Sequence, residues 1–230
     1  MDSLQSIISD IRVFLYGGIR TLPLTIAGTM IILGLFTANY AMIFFLLGYL
    51  ILAPLLAAGL NLGSAFLLEM FKITMFTVKA ADVCNIVVPY MTMKNMEESK
   101  NQIIVISMWS AMMSFFFGYI IGNAVELFTF ESAETDDSDH KQSNRKFQAM
   151  IAFFSIVVVT VGIMGYRMYT GCESVWATVL TSLLFGAGGY GWYLFLGAVG
   201  QNRLSDLFGI ANRLLSPSAI ENAPVACVPV

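Results

Sequence analysis

Hydrophobic residues fall along this chain in long blocks, with the charged residues confined to the gaps between them. The longest block, Thr21 to Leu68, runs 48 residues without Asp, Glu, Lys, Arg or His, between Arg20 and Glu69. A helix rising about 1.5 Å per residue needs about 20 apolar residues to cross the hydrocarbon core of a bilayer. The block therefore predicts two spans, roughly 22–38 and 41–60, joined in a tight hairpin at Thr37-Ala38-Asn39-Tyr40. Pro54 falls inside the second, where a missing N–H and a ring clash predict a kink and a freed backbone carbonyl.

Three further blocks follow. Asn101–Val125 has 25 residues, Phe147–Tyr166 has 20 and Ser174–Asn202 has 29. Each is long enough for one span. The expected fold is an all-α, multispanning membrane bundle of about five transmembrane helices.

The gaps have their own patterns. Leu4, Ile7, Ile8, Ile11 and Leu15 share one helical face, opposite Asp2, Gln5, Asp10 and Arg12. Residues 61–79 mix Phe66, Leu67, Met70, Phe71 and Met75 with Glu69, Lys72 and Lys79. Residues 203–215 set Leu204, Leu207, Phe208, Ile210 and Leu214 against Arg203, Asp206 and Arg213. Such faces suit helices lying at the membrane interface, or extensions of the spans themselves. The one polar stretch, 126–146, carries six acidic residues from Glu126 to Asp139, then Lys141, Arg145 and Lys146, and reads as a solvated loop.

These segments divide the chain into an interfacial amphipathic helix at 1–20 and a region at 21–125 holding the hairpin, an amphipathic linker and the third span. The acidic loop at 126–146, two further spans at 147–202 and a tail at 203–230 complete it. Five spans place 1–20, 69–100 and 167–173 on one side with seven Lys and Arg, and 126–146 and 203–230 on the other with five. The excess predicts a cytoplasmic N-terminus. The opening Met-Asp-Ser-Leu-Gln lacks the basic region of a cleaved signal, so the first block is expected to stay as an anchor.

Composition reinforces the pattern. Hydrophobic residues make up 57% of the 230 and charged residues 12%, about half the charge of a soluble domain, and the mean hydropathy is +0.76. A net charge of −3, with basic residues scattered rather than striped, argues against nucleic acid as a partner. Cys84, Cys172 and Cys227 form no CxxC, and their spacing suggests no pairing.

Candidate chemistry is sparse. Gly186-Ala-Gly188-Gly189-Tyr-Gly191 spells GxGxxG, but a dinucleotide site needs a strand before it, and this stretch lies within an uncharged block. The Gly-Tyr-Gly core looks like a potassium-channel filter, yet the Thr-Val preceding it there is absent. Close helix packing is the simpler use of these glycines and of the Gly118-x-x-x-Gly122 motif in the third span, since small residues let backbones approach in lipid. The two faces are expected to meet each other or a second copy. Glu69 and Lys72, three apart, suit an interfacial ion pair.

His140 is the sole histidine and sits beside Asp139 in the acidic loop, so neither a Ser-His arrangement nor HExxH or GxSxG is available. The Asp136-Asp137-Ser-Asp139 run lacks EF-hand spacing. Met91, Met93 and Met96 have no His or Cys at ligand spacing. The tail carries Pro217, Pro224 and Pro229, which favour an extended end suited to docking in a partner's groove. Cys227 stands fourth from the end but Pro229 fits a prenylation box poorly.

No catalytic, cofactor or metal site is expected. The expectation is a non-enzymatic structural, scaffolding or anchoring component of a membrane assembly, possible hosts including a virion or an organelle membrane. Its partners would be the lipid bilayer and either copies of itself or other membrane subunits. The alternative is a small oligomeric channel or carrier for a neutral or weakly charged solute, using Pro54 and the 186–191 glycines to turn backbone groups toward a pore.

Overall fold

The computed structural model describes residues 2–71, 106–129, 139–200 and 204–207. Among them every regular element is helical. Helix α1 runs Asp2–Phe36 and α2 runs Tyr40–Leu47; α2 continues through a π-helical turn, Gly48–Leu52, into α3, Ala53–Phe71. Then come α4 (Met108–Thr129), α5 (Asp139–Tyr169) and α6 (Val175–Gly200). Among the described residues five stretches are long and apolar enough to cross a membrane: Gly17–Phe36, Tyr40–Ser64, Met108–Glu126, Lys146–Tyr169 and Val175–Gly200.

Three of the amphipathic stretches meet different ends. The first is continuous with the first span in α1, whose 35 residues reach about 52 Å at the usual rise. The second extends α3 as far as Phe71, with 72–79 outside the described residues. In the third, Leu204–Leu207 forms a turn rather than a helix, because its carbonyls bond elsewhere. Tyr119 Oη donates to Ser205 O at 2.9 Å and Asn39 Nδ2 to Leu207 O at 3.1 Å. The acidic stretch is also shorter than its composition predicts, since α4 reaches Thr129 and α5 starts at Asp139.

The hairpin turns at Thr37 and Ala38, with Ala38 left-handed at φ 50°. Asn39 caps α2, its Oδ1 accepting from Ala41 N at 3.0 Å. At the opposite end of α3, Asn61 grips the start of α4 with both halves of its amide. Its Nδ2 donates to Ile106 O and its Oδ1 accepts from Ile106 N, each at 2.7 Å.

Helix α4 is the axis of the bundle. In its most apolar stretch 72% of the residues are buried, against 11% for α5. Its core side is aromatic: Phe45 stacks on Tyr49 and meets Tyr119 edge-on at 4.9 Å, and Tyr119 meets Tyr193 at 5.3 Å. The outer faces of α1, α5 and α6 carry exposed residues such as Ile32, Phe154, Val158 and Leu183, as a lipid-facing perimeter requires.

Candidate functional site

Pro23 and Pro54 fall inside long apolar helices, and the structure meets each in its own way. Pro23 has no N–H to give Ile19 O; Trp109 Nε1 of α4 donates to that oxygen at 2.9 Å. Tyr49 Oη donates to Pro23's own carbonyl at 3.2 Å. Pro54 is accommodated by the π-turn just before it, where Ala53 N–H reaches back to Gly48 O, a widening that avoids the ring clash of an α-helical proline. Gly48 N–H bonds Phe45 O, and Trp192 Nε1 of α6 donates to Phe44 O at 3.2 Å. Only a glycine fits at 48: a Cβ there would lie 2.5 Å from Trp192 Nε1.

Trp109 also belongs to a buried charge cluster at the end of the bundle where α5 turns into α6. Arg167, 2% exposed, lies in the last turn of α5, and Glu173, 8% exposed, just precedes α6. Glu173 Oε1 accepts from Arg167 Nη2 at 3.1 Å and Nε at 3.4 Å. Its Oε2 accepts from Thr178 Oγ1 at 3.2 Å and from Ser110 Oγ of α4. The guanidinium stands 4.7 Å from the Trp109 ring centroid, within cation–π range.

Local sequence makes this turn. Gly171 takes φ +72°, the left-handed position that ends a helix in a Schellman motif. Both bonds of that motif are present: Cys172 N to Arg167 O at 3.2 Å and Gly171 N to Met168 O at 3.0 Å. The reversal carries Glu173 back beneath Arg167. Each charge also sits where the helix dipole favours it, the cation at a C-terminus and the anion before an N-terminus. Cys172, buried in the same turn, is disulfide-bonded.

Chemically the cluster is closed. Both carboxylate oxygens accept hydrogen bonds, the guanidinium is paired and stacked, and the Ser110 hydroxyl donates to Glu173 Oε2. It joins α1, α4, α5 and α6 through Ile19, Trp109, Arg167, Glu173 and Thr178. Beside it Tyr166 Oη, and further along α4 Asn123 Nδ2, are buried without a hydrogen-bond partner.

The glycine faces of α4 and α6 meet each other in this structure, side by side and parallel. A Cβ on Gly118 would lie 2.1 Å from Gly186 O, and one on Gly189 would lie 2.0 Å from Phe115 O, so the two backbones touch. Gly122 is filled by Tyr193, 2.7 Å from such a Cβ. At Gly186 and Gly188 an added Cβ would meet its nearest neighbour at 3.9 Å, and at Gly191 nothing within 4 Å. The contact thus runs through Gly186 and Gly189, and Gly191 takes no part in it. Glu69 lies in the last turn of α3, and Lys72 falls outside the described residues, as do Met91, Met93, Met96 and the proline-containing tail. His140 opens α5. Among the described residues no group of three or more His, Cys, Asp or Glu converges as a metal site.

Sequence reasoning missed Arg167 and Glu173, treating 167–173 as a loop. A signal was there: they are the only charged residues between Lys146 and Arg203, they are opposite in sign, and a glycine lies between them. Nothing in the pattern marked Trp109 or Ser110. Comparison with protein-family models, curated proteins and solved structures finds no match to this chain.

Proposed function

We propose that this chain is a non-enzymatic component of a membrane assembly, a scaffold or anchor that presents a fixed helical bundle to its neighbours. The observation that carries the reading is the closed Arg167–Glu173 cluster. Charged residues placed in membrane segments generally mark ion paths, proton relays or substrate sites. Here the pair is consumed in holding four helices together, and both carboxylate oxygens and the guanidinium already have partners. The wide apolar perimeter suits lipid and neighbouring subunits.

The channel or carrier reading needs backbone groups facing a pore. Against it stand the Ile19 carbonyl freed by Pro23, which bonds Trp109, the Phe44 carbonyl, which bonds Trp192, and Gly186 and Gly189, which lie against α4. Solute flux separates the two. Purified protein in liposomes is expected to pass small neutral solutes, glycerol and urea, no faster than protein-free vesicles. Saturable flux, lost when Gly191 is enlarged to Leu, would overturn the proposal in favour of a pore.

A further inference from the structure

Cys172 is disulfide-bonded in the turn between the last two spans. Disulfides form and persist in oxidising compartments and are rare where glutathione keeps thiols reduced. We infer that the membrane face carrying this turn, and with it the N-terminal end of the first span, opens onto an oxidising compartment.

The faces are assigned by contacts. Trp109 at the start of α4 bonds Ile19 near the start of the first span, and stacks with Arg167 at the end of α5. Asn61, near the end of the second span, grips Ile106. These ends share one face with Cys172. The other face holds the Thr37–Asn39 hairpin and Leu204–Leu207, joined by Asn39 and Leu207.

This orientation is the reverse of the one the basic residues suggest, and the structure removes part of that suggestion. Arg167 is buried and neutralised by Glu173, so it is not a free juxtamembrane cation. The remaining contest is Arg12, Arg20, Lys72, Lys79, Lys94 and Lys100 against Lys141, Arg145, Lys146, Arg203 and Arg213. A difference of one does not set topology by the positive-inside rule. The disulfide then decides.

The two other cysteines lie outside the described residues. In chain order two spans separate Cys84 from Cys172, and one span separates Cys172 from Cys227. Span parity therefore selects Cys84 as the partner. Bond formation releases two protons and two electrons from two thiols; a disulfide-donating thiol oxidoreductase takes them up and leaves as its dithiol.

Thiol counting in native membranes tests this. Membranes are blocked with a maleimide and denatured, and mass-tagged maleimide then counts cysteines with and without reductant. The wild type is expected to block one cysteine before reduction and expose two more after it. Cys84→Ser is expected to leave both remaining cysteines reactive without reductant, and Cys227→Ser to leave none. The Cys227 variant retains both cysteines of the inferred bond and so keeps the test independent of losing it. An N-terminal epitope should be reached by antibody from the oxidising side only. Three reactive thiols before reduction, a bond that survives Cys84→Ser, or an epitope on the reducing side would each overturn the inference.

Discussion

Arg167 and Glu173 are buried where two helices meet at the end of the bundle, and their partners explain how it holds them. Removing one member of a buried pair strands the other, which generally costs about 3–5 kcal/mol, whereas replacing both by apolar residues of similar size is often close to neutral. Arg167→Met and Glu173→Leu are therefore each expected to destabilise the detergent-solubilised protein by about that amount, and the double variant by less than either. Thermal unfolding followed by circular dichroism measures all three. Additive losses would show that the two charges are held independently. Composition alone did not reveal the pair. Six residues apart, Arg167 and Glu173 cannot share a helix face, and they meet only because Gly171 takes a left-handed conformation and reverses the chain.

At the scale of elements, the helices repair one another's backbones. A proline in an α-helix is expected to leave a carbonyl bare, and the sequence marks where this happens at Pro54 but not which residue from another helix will answer it. Trp109 answers the Ile19 carbonyl at Pro23, while Pro54 is met within its own helix by the π-turn before it. A cycle isolates the first. Trp109→Phe keeps the ring but orphans the Ile19 carbonyl, with an expected loss of about 1–3 kcal/mol. Pro23→Ala restores an N–H to that carbonyl, so Trp109→Phe is expected to cost less in the Pro23→Ala background, by chemical-denaturant titration in micelles. An equal cost in both backgrounds would mean that the indole hydrogen bond contributes nothing.

The span blocks themselves were plainly legible, because a long uncharged run has one physical solution in lipid, a helix. Five such helices are present among the described residues, with ends within a few residues of the charge boundaries in the fourth and fifth, whereas the third begins at Met108, seven residues into its block. The ends of the polar stretches were less legible. The run 126–146 is rich in acids, yet Asp139 to Lys146 is helical in α5, since propagation from an adjoining span adds a hydrogen bond for each residue fixed. Leu204–Leu207 went the other way, from an amphipathic pattern to a turn, because Tyr119 and Asn39 claim its carbonyls. Which small residues touch was also hidden: Gly118 pairs with Gly186, and Gly191 has open space. Spacing fixes which residues share a face, but not how far two helices are shifted along each other.

Among the described residues the molecule reads as a buried axis, α4, surrounded by helices whose outer faces stay apolar. The scaffold reading is tested most directly by the mass of the intact particle, released from its native membrane in mild detergent and measured by native mass spectrometry with identification of every subunit. The account predicts a stable particle in which this chain is accompanied by other membrane proteins in fixed ratio. A particle made of this chain and lipid alone would contradict it.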